Sequence, residues 1–330
     1  MASDLPSDRF RIKTLSCQDM LETLRRDARE GLVQAPRSLP PKYFYDETGS
    51  RLFNEICKTR DYYVTRTERE LLEQHADEII AMTRPRTCVE LGAGTSVKTE
   101  ILLSRLTARR DTATYVTIDV CEEVLLESAR RLIRDFPGLA IESLAGEYLA
   151  GIDALREPEK PVLYIFLGSS LGNFSEPDSI ELLSRVVRRM APGDSFLLGL
   201  DRVKDKNVLE RAYNDEQGVT AQFNLNVLNV LNAQLGADFR LQAFSHRAVY
   251  REAMEQIEMH LVARTSQVIA LPGIDEMIRL HAGEHILTEI SRKYTRSSIQ
   301  RLLSRSGLCE QAHFELENGY FSLVLAKPVH

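Results

Sequence analysis

The segment that most restricts the fold is residues 88–99, which read CVELGAGTSVKT. A short apolar run carries an acid at Glu90, the chain then turns through Gly92 and Gly94, and an amphipathic segment begins at Thr99. This order is typical of a β-strand, a tight turn and a helix start, where bare backbone lies against a charged or polar ligand. The turn alone is a weak signal, because dinucleotide-binding folds use a similar one.

Two further predicted strands also end in acids. Asp119 closes one apolar run, and Glu147 follows another. Asp119 comes about 30 residues after Glu90, where a ribose diol is bound in such folds. The G-x-G-x-x-G spacing of nicotinamide sites is missing, since Val97 stands at the third glycine position. The three acids therefore favour S-adenosylmethionine and a class I methyltransferase over a nicotinamide nucleotide.

Strand and helix patterns alternate through the middle of the chain. The predicted strands lie near residues 87–90, 114–119, 140–144, 161–167 and 195–200. The predicted helices between them lie near residues 97–109, 122–136 and 178–190. The alternation predicts a parallel sheet with helices on both faces, right-handed crossovers and a ligand at the carboxyl ends of the strands. We therefore expect an α/β, Rossmann-like class I methyltransferase fold.

The alternation stops after residue 201 and resumes near residue 293. The intervening segment predicts two helices and then an antiparallel hairpin within residues 243–268. We expect four segments: residues 14–65 and 202–292 form an α+β substrate-binding lobe, and residues 66–201 and 293–330 form the core that binds S-adenosylmethionine. Residues 1–13 are expected to be disordered or loosely attached.

Composition excludes several classes of partner. With 43% hydrophobic residues among 330, the chain can bury a sizeable core, and its net charge of −6 speaks against nucleic acid. The five cysteines lie far apart with no C-x-x-C pair, as in reduced cytosolic proteins. The amino terminus is polar, and no run approaches the roughly 18 apolar residues of a membrane span. We expect a cytoplasmic enzyme with a small-molecule substrate; the oligomeric state, a monomer included, stays open.

A metal site is not predicted. Residues 281–285 read HAGEH and match the H-x-x-E-H pattern of some zinc enzymes. That pattern requires a continuous helix, whereas Gly283 stands at its centre and residues typical of a strand follow.

Several side chains are candidates for contact with a substrate. The loop at residues 166–173, FLGSSLGN, follows the fourth strand, so Gly168 allows close approach and Asn173 offers both a donor and an acceptor. Asn173 could equally cap the next helix. Tyr62 and Tyr213 could bind a substrate amine or carboxylate, or simply pack half-buried.

Glu289 and Ser291 form a further candidate pair. They alternate along a strand pattern and so share one face, which is either a binding face or a solvated one.

Many separate motifs resemble a single family. These motifs are PPKYFYD at 40–46, YY at 62–63, TRTE at 65–68, ELGAGTSVKT at 90–99, FLGSSLGN at 166–173, AY at 212–213, GVTAQFNLN at 218–226, IEM at 257–259 and TEIS at 288–291. They resemble the L-histidine Nα-methyltransferases of the ergothioneine pathway, whose relatives act on other amino acids. The similarity extends from about residue 18 to residue 327.

The resemblance implies a role for each candidate residue. The cofactor site would comprise Tyr45, Gly92, Lys98, Asp119, Glu147 and Tyr148. The substrate site would comprise Tyr62, Gly168, Asn173, Tyr213, Met259, Glu289 and Ser291. Within it, Asn173 and Tyr213 would hold the carboxylate, and Tyr62 with Asn173 would orient the α-amine as the catalytic pair.

The same resemblance implies the substrate. Glu289 and Ser291 would bind the imidazole, with Met259 packed nearby, because a carboxylate and a hydroxyl suit a ring with two nitrogens. An indole would leave Glu289 unpaired at a cost of about 1–3 kcal/mol. The implied reaction is up to three methylations of L-histidine, giving hercynine.

Two departures from the family pattern and three alternatives remain at this point. Glu147 stands where an aspartate is usual, and Arg292 replaces a common cysteine. The alternatives are a methyltransferase for another amino acid or aromatic amine, a catalytically silent cofactor-binding subunit, and a nicotinamide oxidoreductase.

Overall fold

The computed structural model describes residues 8–15 and 17–329, which form two compact units. We call residues 8–15, 64–203 and 293–329 the core unit. Residues 17–63 and 204–292 form the insert unit. The chain thus leaves the core unit twice and returns to it twice.

The strands, in chain order, are β1 (Phe10–Thr14), β2 (Arg37–Ser38), β3 (Thr87–Leu91), β4 (Ala113–Asp119), β5 (Leu139–Ala145), β6 (Val162–Phe166), β7 (Ser195–Asp201), β8 (Phe244–Arg251), β9 (Gln256–Ala263), β10 (Gln267–Leu271), β11 (Glu276–Leu280), β12 (His285–Arg292), β13 (Leu308–Glu315) and β14 (Phe321–Pro328). The α-helices are α1 (Cys17–Leu32), α2 (Glu47–Ile56), α3 (Tyr63–Thr83), α4 (Thr99–Thr107), α5 (Glu122–Asp135), α6 (Tyr148–Ala154), α7 (Glu176–Val187), α8 (Lys206–Tyr213), α9 (Val219–Leu235) and α10 (Arg296–Arg305).

The core unit is built on one eight-stranded sheet in the order β1-β5-β4-β3-β6-β7-β14-β13. Strands β1 to β7 of this sheet pair in parallel, whereas β14 runs antiparallel to β7 and β13 antiparallel to β14. Strands β3, β6 and β7 are buried along their whole length, as expected for a parallel sheet covered on both faces. This topology confirms the predicted α/β, Rossmann-like fold.

The order of the strands reverses at β3, which lies between β4 and β6. In open α/β sheets, ligands bind outside the carboxyl ends of the strands at such a reversal. Two segments leave the sheet there: the glycine turn after β3 and the loop of residues 167–173 after β6. The topology therefore points to these two segments as the ligand-binding edge of the core unit.

The expectation that residues 1–13 are disordered or loosely attached was wrong for residues 10–13. Residues 10–14 form β1, which pairs in parallel with β5 from Phe10 opposite Ile141 to Thr14 opposite Ala145. The alternation of Phe10 and Ile12 with charged residues suits an edge strand, but its pairing partner lies far along the chain. Residues 1–7 lie outside the described part.

The insert unit contains a four-stranded sheet in the order β2-β12-β9-β8 and a separate β10–β11 hairpin. The predicted hairpin within residues 243–268 is confirmed as β8 paired antiparallel with β9. Helix α9 packs against β8, β9 and α2, and its buried residues include asparagines as well as leucines and valines. Residues 281–284 turn between β11 and β12 with Gly283 at a φ of +85°, so the H-x-x-E-H segment is not a helix.

Two kinds of feature are absent from the described residues. No helix among them has both the length and the apolar character needed to cross a membrane. Over the same residues, no group of three or more histidine, cysteine, aspartate or glutamate side chains could hold a metal ion.

Candidate functional site

The glycine turn after β3 leaves its main chain accessible to a ligand. Gly92 and Gly94 have φ values of +68° and +48°, a region that side chains disfavour. A Cβ on Gly92 would lie 2.9 Å from the Tyr148 hydroxyl, so Tyr148 closely approaches the turn. A Cβ on Gly94 would meet no atom within 4 Å, so this side of the turn has room for a ligand.

Asp119 at the end of β4 faces the same turn. One carboxylate oxygen accepts a hydrogen bond from the Gly94 N–H at 2.9 Å, and the other accepts one from the Cys121 N–H at 3.0 Å. Burial raises the pKa of Asp119, and these main-chain hydrogen bonds oppose the rise. Each oxygen keeps a further acceptor position, and together they suit a vicinal diol such as that of a ribose.

Tyr148 joins this cluster and Glu147 lies at its edge. The Tyr148 ring packs against Phe166 with centroids 5.3 Å apart, and burial together with the Asp119 charge raises the pKa of its hydroxyl. Glu147 is exposed and immediately precedes α6. Of the predicted cofactor residues in the core unit, the structure brings Gly92, Asp119 and Tyr148 into direct proximity.

Glu90, the acid of the turn motif, supports the turn from inside the core unit. Its carboxylate accepts hydrogen bonds from the Thr99 hydroxyl at 2.6 Å and from the Tyr115 hydroxyl. Burial raises the pKa of Glu90 to about 7, against the opposing effects of these two hydrogen bonds and of the Lys98 charge. Glu90 on β3 therefore links this strand to β4 through Tyr115 and to the start of α4 through Thr99.

Glu68 on α3 is a buried residue of this region that sequence reasoning missed. Both of its carboxylate oxygens accept from the Gly168 N–H, at 2.7 and 3.0 Å, and the carboxylate also forms an ion pair with Lys98. Gly199 on β7 makes room for it, since a Cβ there would lie 1.9 Å from the carboxylate. Glu68 thereby joins Lys98, a predicted cofactor residue, to Gly168, a predicted substrate residue.

The loop after β6 is held in an unusual conformation. Gly168 and Ser169 have φ values of +77° and +57°, and the Ser169 hydroxyl accepts a hydrogen bond from the Asp201 N–H at 2.9 Å. The alternative role of Asn173 as a helix cap is wrong, because Ser175 caps α7. The half-buried Asn173 side chain makes no hydrogen bond to any residue in the described part of the chain, so its amide can bind a ligand.

An aromatic cluster in the insert unit contains three of the predicted residues. The Tyr62 ring meets that of Tyr213 edge-on at 6.1 Å and that of Phe53 at 6.2 Å, and the Tyr45 ring lies 5.8 Å from Phe53. Burial raises the pKa of Tyr62 well above its usual value, with smaller contributions from Tyr213, Cys57, Tyr45 and Glu289. The Tyr62 hydroxyl therefore stays protonated at neutral pH.

The remaining predicted residues lie on the sheet of the insert unit, close to this cluster. Glu289 and Ser291 on β12 are only 8% and 3% exposed, so their alternative role as a solvated strand face is wrong. Ser291 shares a 2.8 Å hydrogen bond with the Tyr213 hydroxyl. Met259 on β9 lies directly opposite Glu289 in the antiparallel pair. A buried carboxylate, two hydroxyls and a thioether thus lie together.

The predicted site residues fall into two groups. The core unit carries Gly92, Lys98, Asp119, Glu147, Tyr148, Gly168 and Asn173. The insert unit carries Tyr45, Tyr62, Tyr213, Met259, Glu289 and Ser291. The first group suits a ligand that has a diol and approaches main-chain N–H groups. The second suits a small molecule with a ring that can donate hydrogen bonds.

Comparison with known proteins agrees with this chemistry. A family model described as "histidine-specific methyltransferase, SAM-dependent" matches residues 24–328. The chain is similar to the histidine N-alpha-methyltransferase of Mycolicibacterium smegmatis, with 41% identity over 312 residues that cover 94% of this chain and 97% of that protein. It is equally similar to the histidine N-alpha-methyltransferase of Mycobacterium tuberculosis, with 41% identity over 92% of this chain and 94% of that protein.

A longer fungal protein also matches. Ergothioneine biosynthesis protein 1 of Neurospora crassa is 30% identical over 310 residues, which cover 88% of this chain and 33% of that protein.

Proposed function

Because the chain belongs to the family of histidine-specific, S-adenosylmethionine-dependent methyltransferases, we propose that it methylates the α-amine of L-histidine. The resemblance to enzymes of the ergothioneine pathway implies three successive transfers, which give hercynine. The observation in the structure that supports this substrate best is the buried pair of Glu289 and Ser291 beside Tyr213. A carboxylate and a hydroxyl match the two nitrogens of an imidazole, which donate and accept, or both donate.

The core unit has the groups that S-adenosylmethionine requires, and this cofactor supplies a methyl group on a sulfonium sulfur when it is bound. The carboxylate of Asp119 would accept from the ribose diol, since its two oxygens are oriented by main-chain N–H groups and each can accept a further hydrogen bond. The space beside Gly94 admits the ligand to the turn. We assign Tyr45, Gly92, Lys98, Glu147 and Tyr148 to the same ligand.

The amine has to be neutral and held in line with the methyl group. We assign this orientation to Tyr62 and Asn173, whose side chains can each donate and accept a hydrogen bond. Burial keeps the Tyr62 hydroxyl protonated, and its oxygen can still accept from an N–H. The first two transfers each replace one N–H of the neutral amine by a methyl group with release of a proton, and the third adds a methyl group to a nitrogen that has no N–H. Groups that can both donate and accept tolerate each successive acceptor.

The remaining substrate contacts follow from the same assignment. Tyr213 and Asn173 hold the carboxylate, and Met259 packs against the ring beside Glu289. Gly168, whose N–H donates to Glu68, has no side chain and so allows the substrate to approach closely. An acceptor with an indole or alkyl side chain leaves Glu289 without a partner in the ligand, which costs about 1–3 kcal/mol. A competition assay of histidine against tryptophan and tyrosine tests this preference against the alternative of another amino acid or aromatic amine.

The test of the substrate assignment is the substitution of Glu289. A hydrogen bond to a charged group is worth about 1.5–3 kcal/mol, so E289A should raise KM for histidine about 10- to 150-fold. The affinity for S-adenosylmethionine, measured by calorimetry, should stay within about twofold of wild type. A twofold change corresponds to about 0.4 kcal/mol, because about 1.36 kcal/mol is a factor of ten. Glu252 is an exposed glutamate of the same unit, between β8 and β9, so E252A is the matched control and should change neither value.

Equal losses of histidine and cofactor binding in E289A would mean that Glu289 serves the fold rather than the substrate.

Mass spectrometry of the product counts the methyl groups transferred. A single-turnover assay with labelled cofactor excludes a silent subunit, and absence of nicotinamide binding in calorimetry excludes an oxidoreductase. We place the reaction in the cytoplasm, because Cys57, Cys88, Cys121 and Cys309 form no disulfide within the described residues and a reducing compartment preserves thiols.

A further inference from the structure

The motif GVTAQFNLN at residues 218–226 places two asparagines in α9 for which the proposed function has no direct use. Asn224 and Asn226 are both buried, although asparagine is a poor helix former and a buried amide requires hydrogen-bond partners. Asn226 donates to the Asp46 carboxylate at 2.8 Å, and that carboxylate also caps α2. Asn224 has a more informative set of partners.

The orientation of the Asn224 amide follows from its neighbours. Its nitrogen lies 3.1 Å from the main-chain oxygen of His260, which can only accept, so the NH2 group faces that oxygen. The same nitrogen lies 2.8 Å from Nδ1 of His246 and donates its second hydrogen there. The amide oxygen accepts from the Thr288 hydroxyl at 2.7 Å. Asn224 thus forms hydrogen bonds with residues on three different strands, β8, β9 and β12.

These contacts also fix the tautomer of His246. Because Nδ1 accepts from Asn224, the proton of the neutral ring lies on Nε2, which donates to the main-chain oxygen of Tyr213 at 2.8 Å. Burial lowers the pKa of His246 and so favours this neutral form. Tyr213 is therefore held at two points, by His246 at its main chain and by Ser291 at its hydroxyl.

The other end of the network reaches the strand that carries the predicted imidazole contacts. Thr288 precedes Glu289 and lies at the irregularity in the β12–β9 pairing between Leu287 and Glu289. The Thr288 hydroxyl, on the side chain next to Glu289, is within 3.0 Å of the Met259 main-chain oxygen as well as of Asn224. One continuous set of hydrogen bonds therefore runs from Tyr213 through His246 and Asn224 to Thr288.

We propose that Asn224 and His246 are positioning residues that set the spacing between Tyr213 and the pair Glu289 and Ser291. This inference rests on the proposed function, in which Tyr213 holds the carboxylate of the amino acid and Glu289 its ring. An amino acid presents these two groups at a separation fixed by its own bonds, so the contacts on the protein have to keep a matching distance. If this network is loosened, the protein should bind the amino acid more weakly, whereas the glycine turn of the core unit should be unchanged.

The experiment compares two asparagines of the same helix. N224A removes the centre of the network, whereas N232A removes a side chain that makes two hydrogen bonds at 2.9 Å, both to the main chain of Phe239 rather than to a site residue. N224A leaves the buried partners of Asn224 without a hydrogen bond, so it should raise KM for histidine about 5- to 150-fold. We expect KM for S-adenosylmethionine to be unchanged in N224A, and both constants to be unchanged in N232A despite a comparable loss of thermal stability.

A second variant keeps the test informative if N224A does not fold. H246Q retains a polar side chain at a half-buried position and should raise KM for histidine in the same way. Since both residues act in one network, the double variant N224A/H246Q should raise KM no further than the more severe single variant. Additive effects, or a KM for histidine that tracks stability equally in N224A and N232A, would overturn the positioning role.

The outcomes separate this inference from the proposed function. If the wild-type enzyme methylates a different amino acid, the proposed substrate is wrong, and the same comparison made with that amino acid still tests Asn224. If the wild-type enzyme methylates histidine and neither N224A nor H246Q changes KM for histidine, the proposed function stands and the positioning role is wrong.

Discussion

The buried Glu90 makes the stability of the core unit depend on pH. Its carboxylate is buried in the core unit between Thr99 and Tyr115, and burial raises its pKa from 4.5 to about 7. Each pH unit between these two pKa values corresponds to about 1.36 kcal/mol. Ionised Glu90 therefore lowers the free energy of unfolding by about 3 kcal/mol relative to a group that titrates normally.

The direction of the pH dependence follows from proton binding. Between pH 4.5 and about 7 the folded chain holds the Glu90 proton while the unfolded chain has lost it. The contribution of Glu90 to the free energy of unfolding therefore falls as pH rises through this window and is constant above it. E90Q is neutral at every pH and similar in shape, so it lacks this dependence.

We expect the stability difference, E90Q minus wild type, to be about 2.5 kcal/mol more favourable to the variant at pH 8 than at pH 5. Urea unfolding followed by far-UV circular dichroism measures it, because the chain contains no tryptophan for fluorescence. Other titrating groups cancel in the difference, and the exposed Glu317 supplies the control E317Q, which should show no such change. A stability difference that is the same at pH 5 and pH 8 would mean that the pKa of Glu90 is not raised in the folded chain.

Two further predictions concern the core unit. G199A would place a methyl group 1.9 Å from the Glu68 carboxylate. We therefore expect the free energy of unfolding, measured by thermal unfolding, to fall by about 1–3 kcal/mol and kcat to be lower. The shorter acid in G199A/E68D should recover part of both, and no recovery would contradict the steric explanation. D119N replaces one acceptor oxygen by a donor, so calorimetry should show about 5- to 150-fold weaker binding of S-adenosylmethionine. Its KM for histidine should be unchanged, and unaltered cofactor binding would remove Asp119 from the cofactor site.

The sequence predicted those parts of the fold whose signals are local. The strand–turn–helix around Gly92 and the alternation of strands with helices are readable because each depends on neighbouring residues. The edge strand at Phe10 was missed, because β5, with which it pairs, lies about 130 residues further along the chain. Short strands with charged residues carry too weak a periodicity to be recognised without that partner.

The candidate site shows the same division. Sequence alone left open whether Glu289 faces solvent and whether Asn173 caps a helix, because burial and capping are decided by other segments. Glu68 stands in the TRTE motif, but the sequence assigned it no role, since Gly168 and Gly199, which define its environment, are distant in the sequence. The resemblance named residues in both units, but the hydrogen bonds that hold Tyr213 required the structure.

This contrast has a physical origin in how the two ligands are recognised. A turn of main chain with one carboxylate, such as Gly92 to Gly94 with Asp119, is specified by a few adjacent residues, and many sequences can reproduce it. Under the proposed function, recognition of the amino acid depends instead on side chains of α8 and β12 that hydrogen bonds connect through α9 and β8. A change of acceptor therefore requires more than a new residue at Glu289. The buried partners of Asn224 also have to be replaced together, because each partner left unsatisfied costs about as much free energy as a new hydrogen bond to the ligand contributes.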